Sequence, residues 1–474
     1  MMSFNSLLFL PFVLLLFLGY WYVFRTKTQR QNVLLLLASL FFIGYNDWQS
    51  LCVISLTGIL NFILVKRMNL MPEGNKKKWF FYGGIAMNIG VLSYFKYLNE
   101  LWQGISSMLN GAPSTLHTLA LPLGLSFFTF QLLAYWIDIY NEEIEPEINL
   151  LDFGVYLFYF PKIVSGPIEL AQNFLPQLKV TRSFDIPLFT DGLRQFLWGY
   201  FKKTVVSMHC LAFINVLKDS GNLSGADVIL TGILNIIYIY SDFSGYSDMA
   251  CGISKLFGIR ITNNFAFPFY SASISEFWKK WHISLTTWVV RYVFSPLSFI
   301  LRKYKKWGIA VSIIISFLVV GIWHGLKMNY FIFGLLHGLF FIPLILKGGG
   351  FNSINQSKVF WRPFQMVALF LLISTTSLFF REMGVADTFY QITSIFSESI
   401  LLPNTEIFKG FSYLMYWFLI FFLFAAEYFN KNRRHGFDIG NFPTLIRWTA
   451  YSILILFIFF FGEYSSNNFI YVQF

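Results

Sequence analysis

The chain has 474 residues, of which 56% are hydrophobic and 12% charged, with 59 Phe and 14 Trp, and its mean hydropathy is +0.58. So apolar a composition excludes a water-soluble fold of this length, and repeated runs of membrane-spanning length place the chain among all-α integral membrane proteins. The net charge of +11 falls in short clusters beside those runs, the pattern of cytoplasmic anchoring rather than of a nucleic-acid partner.

The first apolar run, residues 7–24, has no charge before it and Arg25, Lys27 and Arg30 after it. A cleaved signal peptide carries the opposite flank, so the run reads as a retained helix with its N-terminus outside and residues 25–31 in the cytoplasm. Further runs lie near 33–46, 49–65, 79–97, 119–140, 152–168, 192–216, 228–246, 284–300, 308–326, 328–346, 363–380, 411–429 and 445–462. Several are too short or too interrupted to cross, which leaves about eleven transmembrane helices together with re-entrant or short helices.

Basic clusters at Lys66 and Arg67 and at 76–78, 302–306 and 431–434 mark the cytoplasmic side. From 308 the chain is expected to run outward, return at the Gly-rich loop 347–358, leave again by 380, re-enter at 411 and finish outside. Glu142, Glu143, Glu145 and Glu147 say little about side, so the orientation of the middle stays open. With no repeat and no long polar stretch, residues 1–474 read as a single polytopic membrane domain. Cys52, Cys210 and Cys251 are widely spaced and lack a Cys-x-x-Cys pair. Neither a disulfide framework nor a metal site is expected.

The segment Phe160-Pro161-Lys162-Ile163-Val164-Ser165-Gly166-Pro167-Ile168 breaks an apolar run with two prolines and a glycine. Lipid-facing helix does not tolerate backbone groups freed in this way, so the segment is expected to line a cavity or re-enter. Next comes Tyr240-Ser241-Asp242-Phe243-Ser244-Gly245-Tyr246-Ser247-Asp248. Its carboxylates need partners, with Arg260 and the local hydroxyls nearest in sequence. No further ligand is spaced to complete a metal site, so Asp242 and Asp248 are expected to shape a polar cavity, with Ser244 and Tyr246 beside them.

Two histidines stand out because a titratable ring is costly at membrane depth. His282 follows Trp278-Lys279-Lys280-Trp281, a mixture either of interfacial anchors or of aromatic and cationic groups that attract an acidic acyl carrier or coenzyme A phosphates. His324 ends a charge-free run in Gly321-Ile322-Trp323-His324-Gly325. Held from bulk water, such an imidazole stays a neutral base able to take a hydroxyl proton. The alternative is a buried histidine bonded to a backbone carbonyl. His337, in Gly334-Leu335-Leu336-His337-Gly338, either lines the same cavity or packs helices. His117, His209 and His435 give no functional signal. There is no Gly-x-Ser-x-Gly elbow, His-Glu-x-x-His, Walker A loop or Gly-x-Gly-x-x-Gly fingerprint.

Taken together, the 240–250 segment, Asn263-Asn264-Phe265 onward to Tyr270, Ser275 through Leu285, Gly321 through Gly325, and Leu121-Pro122-Leu123-Gly124-Leu125-Ser126-Phe127 resemble the membrane-bound O-acyltransferase family, in family order over about 120–340. The likeness is to the bacterial branch that includes alginate O-acetylation and teichoic acid D-alanylation proteins. It implies helices around a central funnel or tunnel, His324 as catalytic residue and His282 toward the cytoplasmic donor. Asp242, Ser244, Tyr246, Trp278, Lys279, Lys280, Trp281, Trp323 and His337 are the candidates for the substrate path or tunnel. The expected donor is an acyl thioester, acyl-coenzyme A or an acidic acyl carrier protein, with no bound cofactor. Membrane lipid surrounds the chain, a separate extracytoplasmic protein is a possible relay, and the bacterial inner membrane is the expected location. Two departures qualify the likeness. Arg291 stands where relatives carry Asp after the tryptophan matching Trp288, and Leu170 follows Glu169 where relatives carry Arg. A lipid O-acyltransferase and a transporter or channel with a His/Asp relay are the alternatives.

Overall fold

The computed structural model describes residues 2–25, 27–110, 115, 120–219, 223–348, 359–381, 383–397 and 405–464. His117 and most of the 347–358 loop lie outside them. The described residues contain helices and no strand. Eight helices are long and apolar enough to cross a membrane: Trp48–Asn69, Gly225–Leu256, Ile283–Ile300, Arg302–His324, Met328–Leu346, Arg362–Phe380, Phe411–Asn430 and Thr444–Phe461. That is fewer than the number expected from hydropathy. Thr28–Asn46 and Asn75–Lys96 are long but begin on polar or basic turns, and Leu125–Tyr140 is only 16 residues long. Side chains such as Leu10, Phe421, Phe459 and Phe460 are exposed, as lipid-facing residues of a membrane protein are.

The chain divides into two compact units, one comprising residues up to 193 with 250–262 and the other 194–249 with 263–465. In the first, buried polar side chains join helices. Asn61 and Asn88 exchange amide hydrogen bonds of 3.1 and 2.8 Å between Trp48–Asn69 and Asn75–Lys96. Asn32 donates to Asp152 at 2.8 Å, tying Thr28–Asn46 to Leu150–Phe158. Such bonds hold helices together because the alternative is an unsatisfied group in hydrocarbon.

The proline-broken segment belongs to this unit and is buried from Asp152 through Ala171. The Leu150–Phe158 helix stops at Tyr159, whose ψ is 107°, and a single turn, Phe160–Ile163, follows. The freed backbone groups find side chains. The Phe160 N–H donates to Ser39 Oγ at 3.0 Å, while the Tyr156 carbonyl accepts from Lys162 Nζ at 2.6 Å and Gln131 Nε2 at 2.8 Å. The break is therefore tolerated because protein rather than lipid surrounds it. Leu170 is buried, and the Glu169 carboxylate beside it accepts the Thr262 N–H.

In the second unit, Arg302–His324 and Met328–Leu339 form a tight hairpin joined by Gly325, Leu326 and Lys327. A Cβ added at Gly334 would lie 2.4 Å from the Phe317 carbonyl oxygen, and one at Gly321 would lie 2.3 Å from that of Tyr330. Both obstacles are backbone, so neither can swing aside. Gly334→Ala is expected to lower stability by about 1–3 kcal/mol through overpacking, measured as a fall in the thermal midpoint of the purified protein. An unchanged midpoint would show that the hairpin does not need this close approach.

Candidate active site

His324 is the last residue of its helix rather than part of its interior. It is buried, and its ring packs edge-on against Phe380 at 4.8 Å and near Tyr330 at 6.0 Å. The preceding residue, Trp323, has its indole 4.7 Å from the His324 ring and 6.0 Å from the His282 ring. Two histidines 42 positions apart in the chain thus share one aromatic neighbour. His282 is also buried, with Phe243 edge-on at 4.6 Å.

His282 adopts a left-handed conformation, φ 43° and ψ 56°, at the start of the Ile283–Val289 helix. A non-glycine residue held there signals surrounding structure that over-determines it. The source is the neighbouring segment: Ala266 N–H donates to the Lys280 carbonyl at 3.0 Å and Ile283 N–H to the Asn264 carbonyl at 2.9 Å. The Asn264 side-chain oxygen accepts from Ser284 N–H at 3.2 Å and Ser284 Oγ at 2.6 Å.

Trp278 and His337 form a closed chain of a different kind. The indole of Trp278 donates to His337 Nδ1 at 3.2 Å, and His337 Nε2 lies 3.1 Å from Thr376 Oγ1, which donates to the Ile373 carbonyl at 3.0 Å. An indole can only donate, so Nδ1 accepts and Nε2 carries the proton toward Thr376. Every ring nitrogen of His337 is used, which fits helix joining. His337→Leu is expected to cost about 1–3 kcal/mol for each partner left unsatisfied while leaving turnover near the wild-type level. A turnover loss at unchanged thermal midpoint would overturn that division of roles.

The Ile274–Trp278 helix opens with Ser273 accepting the Glu276 N–H at 3.2 Å. Burial alone pushes the Glu276 carboxyl up, but the Ala272 N–H, Lys280 and Arg362 outweigh it and hold it below the usual range. Lys280 pairs with this carboxylate at 2.9 Å and Arg362 at 3.0 Å. Lys279 is half-buried and forms no ion pair among the described residues. Trp281 is buried among Phe277, Phe265 and Tyr240. Trp278 also lines a small apolar cavity of about 20 Å³ with Leu285, Val289, Phe294, Phe317 and Val320. Arg291 lies with its guanidinium 5.3 Å from the Tyr292 ring.

The polar segment of Gly225–Leu256 meets two residues that the sequence reading missed, Lys202 and Lys203. Asp242 pairs with Lys203 and Asp248 with Lys202 at 2.6 Å, whereas Arg260, expected as a partner, is exposed. Lys202 also donates to Ser244 at 2.9 Å, and Tyr246 is buried. The two lysines begin a π-helical stretch, Lys202–Ser207. The carboxylates that these adjacent lysines serve lie about 9 Å apart along the facing helix, at the α-helical rise per residue. Gly199 and Gly245 bring the two backbones together, since a Cβ on either would lie 2.5 or 2.8 Å from the other's carbonyl oxygen. The missed signal was the Lys-Lys pair itself: two ammoniums inside an apolar run require buried carboxylates.

The fold defines a polytopic helical membrane protein, and within its second unit two buried imidazoles flank one indole. The model of the membrane-bound O-acyltransferase family matches residues 117–385. A probable alginate O-acetylase AlgI of Pseudomonas aeruginosa is 29% identical over 401 residues, covering 84% of this chain and 75% of that protein. A peptidoglycan O-acetyltransferase of Helicobacter pylori is 30% identical, with 76% of each chain covered. A teichoic acid D-alanyltransferase of Bacillus subtilis is 27% identical, covering 66% of this chain and 80% of its own. The chain belongs to the membrane-bound O-acyltransferase family and is an O-acyltransferase.

Proposed function

We propose that this chain moves an acyl group from a cytoplasmic thioester to a hydroxyl of an extracytoplasmic glycan or other cell-envelope polymer, directly or through a relay protein, in the bacterial inner membrane. The observation that carries the reading is the convergence of His282 and His324 on Trp323. It lies inside the family-matched residues, and the relatives' names describe O-acetylation of alginate and peptidoglycan and D-alanylation of teichoic acid.

In the reaction, one ring nitrogen of His324 takes the proton of the acceptor hydroxyl as its oxygen attacks the thioester carbonyl carbon. The tetrahedral intermediate collapses, the C–S bond breaks, and the departing thiolate recovers the proton. His282 lies toward the donor, and Lys279 and Lys280 favour the negative charge of coenzyme A or an acidic carrier protein. A narrow tunnel through a ring of helices keeps out the water that would hydrolyse the thioester. No cofactor is needed for this chemistry.

The test is the purified full chain in liposomes, supplied with radiolabelled acetyl, D-alanyl and longer acyl thioesters and with alginate, peptidoglycan fragments or teichoic acid. Label entering a polymer supports the reading. A lipid acceptor is the second reading, since an apolar passage would also admit a lipid tail. Label recovered only in phospholipid would establish that alternative, and cargo flux without thioester consumption would replace both.

A further inference from the structure

We infer that Gln195 is a positioning residue for His282, anchored by the Lys202–Asp248 ion pair and acting through the Asn263–Asn264 segment. The inference rests on the reading of His282 as part of the transfer site.

Gln195 is fully buried, and its side-chain amide uses both of its N–H groups. One goes to Asp248 Oδ1 at 2.7 Å and the other to Asn263 Oδ1 at 3.2 Å. Asp248 is fixed from its other oxygen by Lys202 at 2.6 Å, and Lys202 is itself held by Ser244. The amide therefore joins a rigid pair of helices to a loop.

That loop determines the backbone around His282. Asn264 follows Asn263, is tethered to Ser247 by its own amide at 3.3 Å, and receives Ile283 N–H on its carbonyl and both Ser284 donors on its side chain. Two residues further on, Ala266 N–H grips the Lys280 carbonyl. His282 lies between these attachments and cannot relax from its left-handed conformation without breaking one of them. The helix that supplies Asp248 also supplies Phe243, against which the His282 ring rests. Anchor and wall thus belong to one element, and Gln195 sets the distance from that element to the loop.

A merely structural glutamine would, when lost, loosen its whole neighbourhood. A positioning glutamine loosens the loop selectively. Gln195→Met keeps the side-chain length and removes both hydrogen bonds. Asn263→Leu cuts the same connection from the far side and leaves the Lys202–Asp248–Gln195 contacts in place, which guards against a first variant that does not fold.

The experiment is hydrogen–deuterium exchange of the full chain in lipid nanodiscs, read at the amides of Ala266, Ile283 and Ser284 and, as a control, across 228–238. Each variant is expected to speed exchange at those three amides roughly tenfold, the loss of one hydrogen bond, with the control region unchanged. The double variant should add nothing further because both changes cut one connection. In parallel, with acetyl-coenzyme A as probe donor, kcat should fall roughly 10- to 100-fold with KM for the donor unchanged. Wild-type exchange at the loop in both variants, or an equal rise across the control region, overturns the inference. Selective loop exchange in a protein whose wild type transfers no acyl group supports the positioning role and removes the acyltransferase mechanism proposed for His282.

Discussion

His324→Ala is expected to insert and purify like the wild type and to lose acyl transfer by about 10²–10⁴-fold, the usual worth of a positioned general base. The His324 ring touches Phe380 and Tyr330, so alanine also opens a small cavity, and a second variant separates packing from chemistry. His324→Gln retains a polar side chain of similar reach but cannot take up a proton at neutral pH. If His324 acts as the base, glutamine is as inactive as alanine while its thermal midpoint stays near wild type. If the ring only orients neighbours, glutamine restores much of the rate. Transfer by His324→Gln at the wild-type rate would remove the proton-transfer role. The contrast with His337 sharpens the test, because His337 has both nitrogens engaged by Trp278 and Thr376 and its loss should lower stability rather than rate.

The class of protein was legible in composition alone, since long charge-free runs have few homes outside a bilayer. The broken segment at Pro161 was legible too, because a missing N–H and a freed carbonyl must be satisfied by protein. The sequence could not reveal the means. Ser39 and Lys162 do that work, and Ser39 lies on a helix more than a hundred residues earlier. For the candidate site, the residue types drew attention to His282 and His324, but their shared contact with Trp323 depends on how the 302–324 helix lies against the Asn264 loop. Hydropathy carries no signal for that. Nor did it reveal the left-handed backbone at His282, which arises from hydrogen bonds to Asn264 and to the Lys280 carbonyl rather than from any local preference. Among the described residues eight helices meet the length and composition of a span, fewer than the eleven expected, for a related reason. Window hydropathy credits Thr28–Asn46 with its Leu-rich centre and overlooks its polar first turn.

The second large effect concerns the Lys203–Asp242 pair, in which both side chains are almost wholly buried. Removing one partner takes away the other's counter-charge in a low-dielectric interior, and Lys203→Met alone is expected to cost about 3–5 kcal/mol. The same cost should follow Asp242→Leu, for the mirror-image reason. A pair of charges, however, is stabilising only relative to half a pair, because desolvating both consumes most of their mutual attraction. The double variant Lys203→Met with Asp242→Leu should therefore recover most of the lost stability. Chemical unfolding of the detergent-purified protein measures all four forms, and the double-mutant cycle isolates the coupling. Recovery of stability together with transfer would identify this pair as a fastening between the Lys202–Ser207 turn and the Gly225–Leu256 helix. The neighbouring Lys202–Asp248 pair would then be the one tied to the His282 loop, through Gln195. A double variant no more stable than either single change would show that the two charges answer to other groups, and the fastening role would fall.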